Sequence, residues 1–255
     1  MSSKPNTQKG LYLYDYILSG NCYKVRLFLS FLQLEHELIP IDFYPGFEHK
    51  QTEFLELNPL GQIPVLMDDG FVLPDAQAIL VYLAAKYDST EAWYPKDPKL
   101  QGRITQWLAF ADSITASCSA ARLHDKLGFK LNIEQARKEG HQNLRLLDDH
   151  LVENKIVGKD WLVLNRPTIA DIACFPYVAL AEEGGISLND YPAARSWINR
   201  FKKLPQFIVM PGIPPLHGMK NNEGKFLNQE GLCFSRIKEG VENRTNGGHR
   251  TCPPG

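Results

Sequence analysis

The stretch Asn58-Pro59-Leu60-Gly61-Gln62-Ile63-Pro64-Val65-Leu66 constrains this chain more than any other, because it sets a proline at the head of an apolar strand. Proline gives no N–H to a sheet ladder and is tolerated mainly at a strand's first residue or at an edge. A cis bond at Ile63-Pro64 would turn the Ile63 backbone outward. Its N–H and C=O would then lie free like a sheet edge, the geometry that captures an extended peptide. Shortly afterwards, Leu73-Pro74-Asp75-Ala76-Gln77-Ala78-Ile79 ends one strand and opens a helix. Asp75 suits the N-cap, and the free N–H groups near Ala76 and Gln77 point where an anion would sit. Together the two stretches suggest a site for a small peptide carrying a carboxylate, while as plain structure they make an ordinary turn.

Around this centre the chain changes period once. Gly10 to Ile17 alternates every second residue and reads as a strand, then Ser19-Gly20-Asn21 breaks it ahead of a helix whose apolar residues run from Val25 to Leu32. Leu38 to Asp42 is a short strand that Pro40 demotes toward an edge. Phe47 to Leu57 is a weak helix. Val65 to Met67 and Phe71 to Leu73 form a hairpin about Asp68-Asp69-Gly70, and Ala76 to Tyr87 closes the unit as an amphipathic helix. The polar stretch from Asp88 to Pro98 marks a boundary. Beyond it the repeat becomes helical: Ile104, Leu108, Ala111, Ile114, Cys118 and Ala121 stripe a long helix ending near Gly128, and a second runs from about Ile133 to Val152. Thr168-Ile169-Ala170-Asp171 is a capping box before the apolar run to Leu180, and Tyr191 to Leu204 supplies a last helix.

Composition narrows the function. A formal net charge of -1 over 255 residues argues against non-specific polyanion binding, so no nucleic-acid partner is expected. Five cysteines without a Cys-x-x-Cys pair fit a reducing compartment, and seven scattered histidines suggest no metal site. The polar start and the lack of any long apolar run lead to the expectation of a cytoplasmic protein without a membrane partner.

The Asn58–Leu66 stretch, the helix start after Leu73 and the upstream Ser19-Gly20-Asn21-Cys22 turn, in that order, resemble a cytosolic glutathione transferase of a serine- or asparagine-type, bacterial or fungal-like kind. The resemblance runs from about Leu11 to Pro211. It implies an α+β thioredoxin-like glutathione-binding domain of order β-α-β-α-β-β-α over residues 9–87, a linker at 88–98 and an all-α domain over 99–211. Residues 212–255 would form a tail, wrapped over the surface or partly disordered.

The resemblance also assigns residues. Ser19 aligns with the activating serine of several classes, whose hydroxyl donates to the glutathione sulfur. Asn21 is its rival, since it matches the asparagine of a non-standard yeast member, and either residue also suits a plain helix cap. His49 and Lys50 would reach the glycine carboxylate, Gln62 the glycyl end, and Ile63 and Pro64 the cysteinyl backbone. Asp75 would take the γ-glutamyl ammonium. Ala76 departs from the family, which mostly has serine here. Losing that hydroxyl costs about ten-fold in affinity unless Gln77 or a partner subunit compensates. Phe110, Ser113, Ile114 and Ser117 would line the second-substrate pocket or serve as core or dimer contacts, and Arg122 and His124 would favour an anionic acceptor or simply be solvated. Cys22 reads as a small structural residue, with a mixed disulfide to glutathione as the rival role.

The implied activity is conjugation of the glutathione thiolate to small hydrophobic electrophiles in a homodimer, with detoxification as its use and peroxide reduction as a further capacity. A glutathione-dependent disulfide reductase and a non-catalytic binding or regulatory protein are the alternatives. Glutathione is the co-substrate, and no metal is implied.

Overall fold

The computed structural model describes residues 9–216. The expected tail therefore lies, beyond residue 216, outside the described residues. Residues 9–213 belong to one compact unit. Its first half is a four-stranded sheet of β1 (Leu11–Asp15), β2 (Glu37–Pro40), β3 (Val65–Asp68) and β4 (Phe71–Pro74), ordered β2-β1-β3-β4. Strand β1 runs parallel to β2 and antiparallel to β3, which runs antiparallel to β4. Pro40 sits on the edge strand, where a missing N–H costs least. Helices α1 (Gly20–Phe31), α2 (Thr52–Leu55) and α3 (Ala76–Tyr87) complete this half. The weak helix expected over 47–57 is divided into a single 3-10 turn at Glu48–Lys50 and the four-residue α2.

The second half is helical: α4 (Pro98–Ile114), α5 (Ala120–Leu127), α6 (Ile133–Ile156), α7 (Ile169–Ala179) and α8 (Pro192–Phe201). Between α4 and α5 the chain makes a π turn over Thr115–Ser119, so the long helix expected from the stripe is continuous in space but widened in the middle. Gly128 ends it in the left-handed conformation.

One apolar core runs through both halves because α1 packs on α3 and α7, and α7 packs on α4. Its aromatic centre is Phe175 stacked on Phe201 at 4.1 Å, with Trp197 edge-on to both. The capping box at Thr168 forms as expected, and its Asp171 is fully buried. Asp171 Oδ1 accepts from the Leu162 N–H and from Trp197 Nε1, so the box also fastens α7 to α8. Burial pushes its carboxyl up to about 6 against the pull of these donors. A smaller apolar cluster of Cys22, Ile41, Phe54, Ile63 and Val65 anchors the segment before β3, which fixes where its main chain is presented.

Candidate active site

A cavity of about 480 Å³ opens between the sheet-bearing half and the wall made by α4, α5 and α7. Ser19, Asn21, His49, Lys50, Gln62, Ile63, Pro64, Asp75 and Ala76 all line it. They come from the start of α1, the 48–50 turn, the segment before β3 and the start of α3.

At the α1 end, Ser19 is the N-cap and its Oγ accepts from the Cys22 N–H at 3.2 Å. That bond satisfies one of the helix's free donors and aims the hydroxyl along the cavity wall. Asn21 donates its N–H to the Tyr177 hydroxyl at 3.3 Å, while its Oδ1 is buried with no partner among the described residues. Gly20 is required here, because a Cβ would lie 2.6 Å from the Tyr177 ring. Arg122 reaches the same turn: its Nη1 donates to the Leu18 carbonyl at 2.7 Å and its Nε to Glu183 at 2.6 Å. The turn that carries Ser19 is thus clamped by two side chains from the helical half. Cys22 is fully buried and its thiol is pushed up to about 12, first by burial and then by the nearby Asp15. This agrees with the structural reading and leaves no thiolate for a mixed disulfide.

In the middle of the cavity the Ile63-Pro64 bond is cis, and the N–H and C=O of Ile63 have no partner among the described residues. A second cis bond, Tyr44-Pro45, lies in the loop after β2. Lys50 Nζ donates to the carbonyls of Gly61 at 2.8 Å and Leu60 at 3.2 Å, pinning the loop that delivers Gln62 and Ile63. Gly61, at φ +56°, approaches so closely that a Cβ would lie 2.7 Å from the His49 carbonyl. His49 is buried against Phe43, with ring centroids 4.2 Å apart, and burial, with Lys50 adding, pushes it below its ordinary value. A neutral imidazole offers a hydrogen bond here but no formal charge.

At the α3 end Asp75 has φ +78°, and its Oδ1 caps the helix through the Ala78 N–H at 2.9 Å. Ala76 is nearly fully buried and, with Gln77, begins the helix, where N–H groups have no partner within the helix. Asp112 of α4 faces this end of the cavity and accepts from the Gln77 side chain. Burial, and after it the charge of Asp75, raises the Asp112 carboxyl.

The rest of the cavity wall is not made by the residues expected for a second-substrate pocket. Thr115, Ser119, Arg122, Leu123, Leu127, Phe129 and Tyr177 line it, with Tyr16, Leu18 and Phe43 from the other half. Ile114 is buried in the core. Ser113 and Ser117 face α6: the Asn143 amide donates to the Ser113 carbonyl at 3.1 Å and to Ser117 Oγ at 3.0 Å. Phe110 packs edge-on to Trp107, away from the cavity. Phe110, Ser113 and Ser117 each stand one residue before a member of the buried stripe Ala111, Ile114, Cys118, Ala121, and the cavity lies along the other flank. Their periodicity fits a helical flank; the packing of α6 decides which flank is covered. His124 likewise lies off the cavity, 2.8 Å from the Asp125 carboxylate.

Sequence reasoning named Arg122 but missed Tyr177, Asp112 and Ser119. Asp112 sits one residue past the apolar Ala111, the signal that would have placed it beside the core stripe.

The site and fold together define a class: a thioredoxin-like sheet with an all-helical second half and an interdomain cleft that offers free main chain to a peptide. The glutathione S-transferase N-terminal domain model matches residues 13–91 and the C-terminal domain model residues 122–205. Human glutathione S-transferase theta-2 is 30% identical over 167 residues, covering 64% of this chain and 68% of that protein. Among solved structures, a glutathione S-transferase from Pseudomonas fluorescens superposes with TM-score 0.71 at 31% identity, covering 78% of this chain and 98% of that one. The yeast prion protein Ure2p in complex with glutathione superposes with TM-score 0.69 at 26% identity, covering 78% and 91%. The chain belongs to the glutathione S-transferase family.

Proposed function

We propose that the chain is a glutathione transferase that activates the thiol of glutathione at Ser19 and joins it to a small, mainly apolar electrophile. The carrying observation is that Ser19 Oγ, at the N-terminus of a twelve-residue helix, lines the same cavity as the unpaired main chain of Ile63 and the start of α3. A hydroxyl donor and the positive end of a helix both favour a thiolate over a thiol. The thiol proton leaves to solvent, the thiolate forms the new C–S bond, and the electrophile's leaving group departs with its electron pair. Ile63 would hold the cysteinyl main chain, Lys50, His49 and Gln62 the glycyl end, and Asp75 with Asp112 the γ-glutamyl ammonium. Lys50 would serve there mainly through its charge, since its ammonium already holds the 60–61 carbonyls.

The acceptor wall supports an apolar or aromatic substrate, because Tyr16, Phe43, Leu123, Leu127 and Phe129 converge there. An open apolar hollow formed by Leu73, Ala78, Val81, Tyr82, Leu108 and Ala109 supports pairing with a second copy of the chain. The disulfide-reductase reading is favoured by one observation, the unpartnered Oδ1 of Asn21 beside Ser19. Thioether formation from glutathione and an aryl halide tests the choice. Ser19→Ala is expected to lower kcat/KM about 10²–10³-fold, and Asn21→Ala far less. A larger loss in Asn21→Ala, with turnover of glutathionyl disulfides exceeding conjugation, would replace the transferase reading.

A further inference from the structure

Tyr177 of α7, on the cavity wall, uses a lone pair and keeps its proton. Its hydroxyl oxygen accepts the Asn21 N–H at 3.3 Å, and it donates no hydrogen bond among the described residues. Ser19 is held in the same way, since its Oγ accepts the Cys22 N–H at 3.2 Å. The first N–H groups of a helix have no partner within it, and these two hydroxyls supply one for α1. Each bond draws electron density toward the positive end of the helix, which makes the remaining O–H a better donor. Lys24 of α1 adds to this at Tyr177. It is buried without a hydrogen-bond partner among the described residues, and its ammonium stands 5.5 Å from the centre of the Tyr177 ring. Burial holds the phenol above its ordinary value, against the pull of the nearby Ser119 hydroxyl and of Arg122, so Tyr177 stays protonated at neutral pH.

Other donors on the helical wall are tied down or unaimed. Thr115 gives its proton to the Ala111 carbonyl at 2.8 Å, and Arg122 is bound to Leu18 and Glu183. The Ser119 hydroxyl turns freely about one bond. Tyr177 is fixed at both ends: a Cβ on Gly20 would lie 2.6 Å from its ring, and its oxygen is bonded to Asn21. A donor set in place before reaction is the kind that stabilises charge as it develops. The wall around it is mainly apolar, with Leu123, Leu127 and Phe129, so the bond is stronger than it would be in water. We infer that Tyr177 is a catalytic residue for electrophiles that gather negative charge on oxygen, α,β-unsaturated ketones above all, and that its hydroxyl donates to that oxygen. This rests on the glutathione reading above and names the acceptor class. As the thiolate sulfur bonds to the β-carbon, the C=C electron pair moves through the ketone onto its oxygen. Tyr177 steadies the enolate without losing its proton, and the α-carbon then takes a proton from solvent. An alkyl halide, which expels its halide ion, builds no charge on oxygen and gains nothing from the hydroxyl.

The experiment measures glutathione conjugation by the full chain with two electrophiles, 4-phenylbut-3-en-2-one and benzyl chloride. Tyr177→Phe keeps the ring against Gly20 and removes only the hydroxyl. Its kcat for the enone should fall about 10²-fold with KM little changed, because the bond to oxygen forms as the charge does. Turnover of benzyl chloride should stay within about three-fold, which also shows that the variant is folded. The pH midpoint of the bound thiolate's ultraviolet absorbance should not move. Equal losses on both electrophiles, or a shifted midpoint, would place Tyr177 with the thiol or with the fold and overturn the assignment. So would no loss on either, a larger enone loss in Ser119→Ala, or an unaltered protein that takes benzyl chloride and no enone. An unaltered protein that conjugates neither overturns the transferase reading itself and the assignment with it, a result distinct from every failure of the variant.

Discussion

Along one wall of the cleft the chain presents its main chain, and along the other it presents side chains. The sheet-bearing wall offers the N–H and C=O of Ile63, the first N–H groups of α3 and the start of α1. Each is fixed by a few adjacent residues: a proline heading a strand, an aspartate capping a helix, a serine ahead of a turn. The helical wall offers Asp112, Thr115, Ser119, Arg122 and Leu127, which come to the cavity only because α4, the π turn and α5 turn one flank toward it. A main-chain wall tolerates substitution and suits an invariant ligand. A side-chain wall changes with each substitution and suits a variable one. On the proposed function, the peptide would fall to the first wall and acceptor choice to the second.

The clamp between the walls is where this comparison is most easily broken. Arg122→Leu would free the Leu18 carbonyl and leave Glu183 with Lys126, 3.6 Å away, as its remaining cation. Loss of about 2 to 4 kcal/mol of stability is expected in urea unfolding. In the surviving folded protein, the pH at which kcat/KM reaches half its plateau should rise, because the Ser19 turn is less well held. An unchanged pH profile would reduce Arg122 to a structural strut.

Lys24 sharpens the comparison from the stability side. Its folded value, about 8, lies below its ordinary 10.5, so the folded protein releases this proton before the unfolded chain does. The group therefore disfavours the fold below about pH 8, and that handicap fades as pH rises toward 10.5. Ligand-free Lys24→Met should be more stable than its parent by about 3 kcal/mol at pH 7, with the gap closing by about pH 10.5. A destabilised variant at pH 7 would mean that the ammonium has a native partner worth more than its desolvation.

The smallest effect tests which flank of the long helix meets the acceptor. Thr115→Leu should change KM for an aryl electrophile several-fold, whereas Ser113→Leu should leave it within about two-fold. Equal responses would return the acceptor site to the α6-facing flank.

The capping box at Thr168, the edge position of Pro40, the N-caps at Ser19 and Asp75 and the helix Ala76–Tyr87 were legible because each is local, set by neighbours along the chain. The main-chain side of the cleft was legible for the same reason. The acceptor flank was not: Phe110, Ser113 and Ser117 have the same helical spacing as Asp112, Thr115 and Ser119, and nothing along the chain says which row α6 will cover. Nor could sequence distinguish Lys24 from any polar residue on an apolar helix, since its burial depends on α3 and α7 packing against α1. The sequence by itself determined the elements, their caps and the free backbone at Ile63, because those follow from short-range sterics and hydrogen bonding. Only the tertiary structure decided which helix flank faces the cavity, how Arg122 and Tyr177 clamp the Ser19 turn, and that Lys24 is buried without a hydrogen-bond partner among the described residues, because each depends on segments far apart in the chain coming into contact.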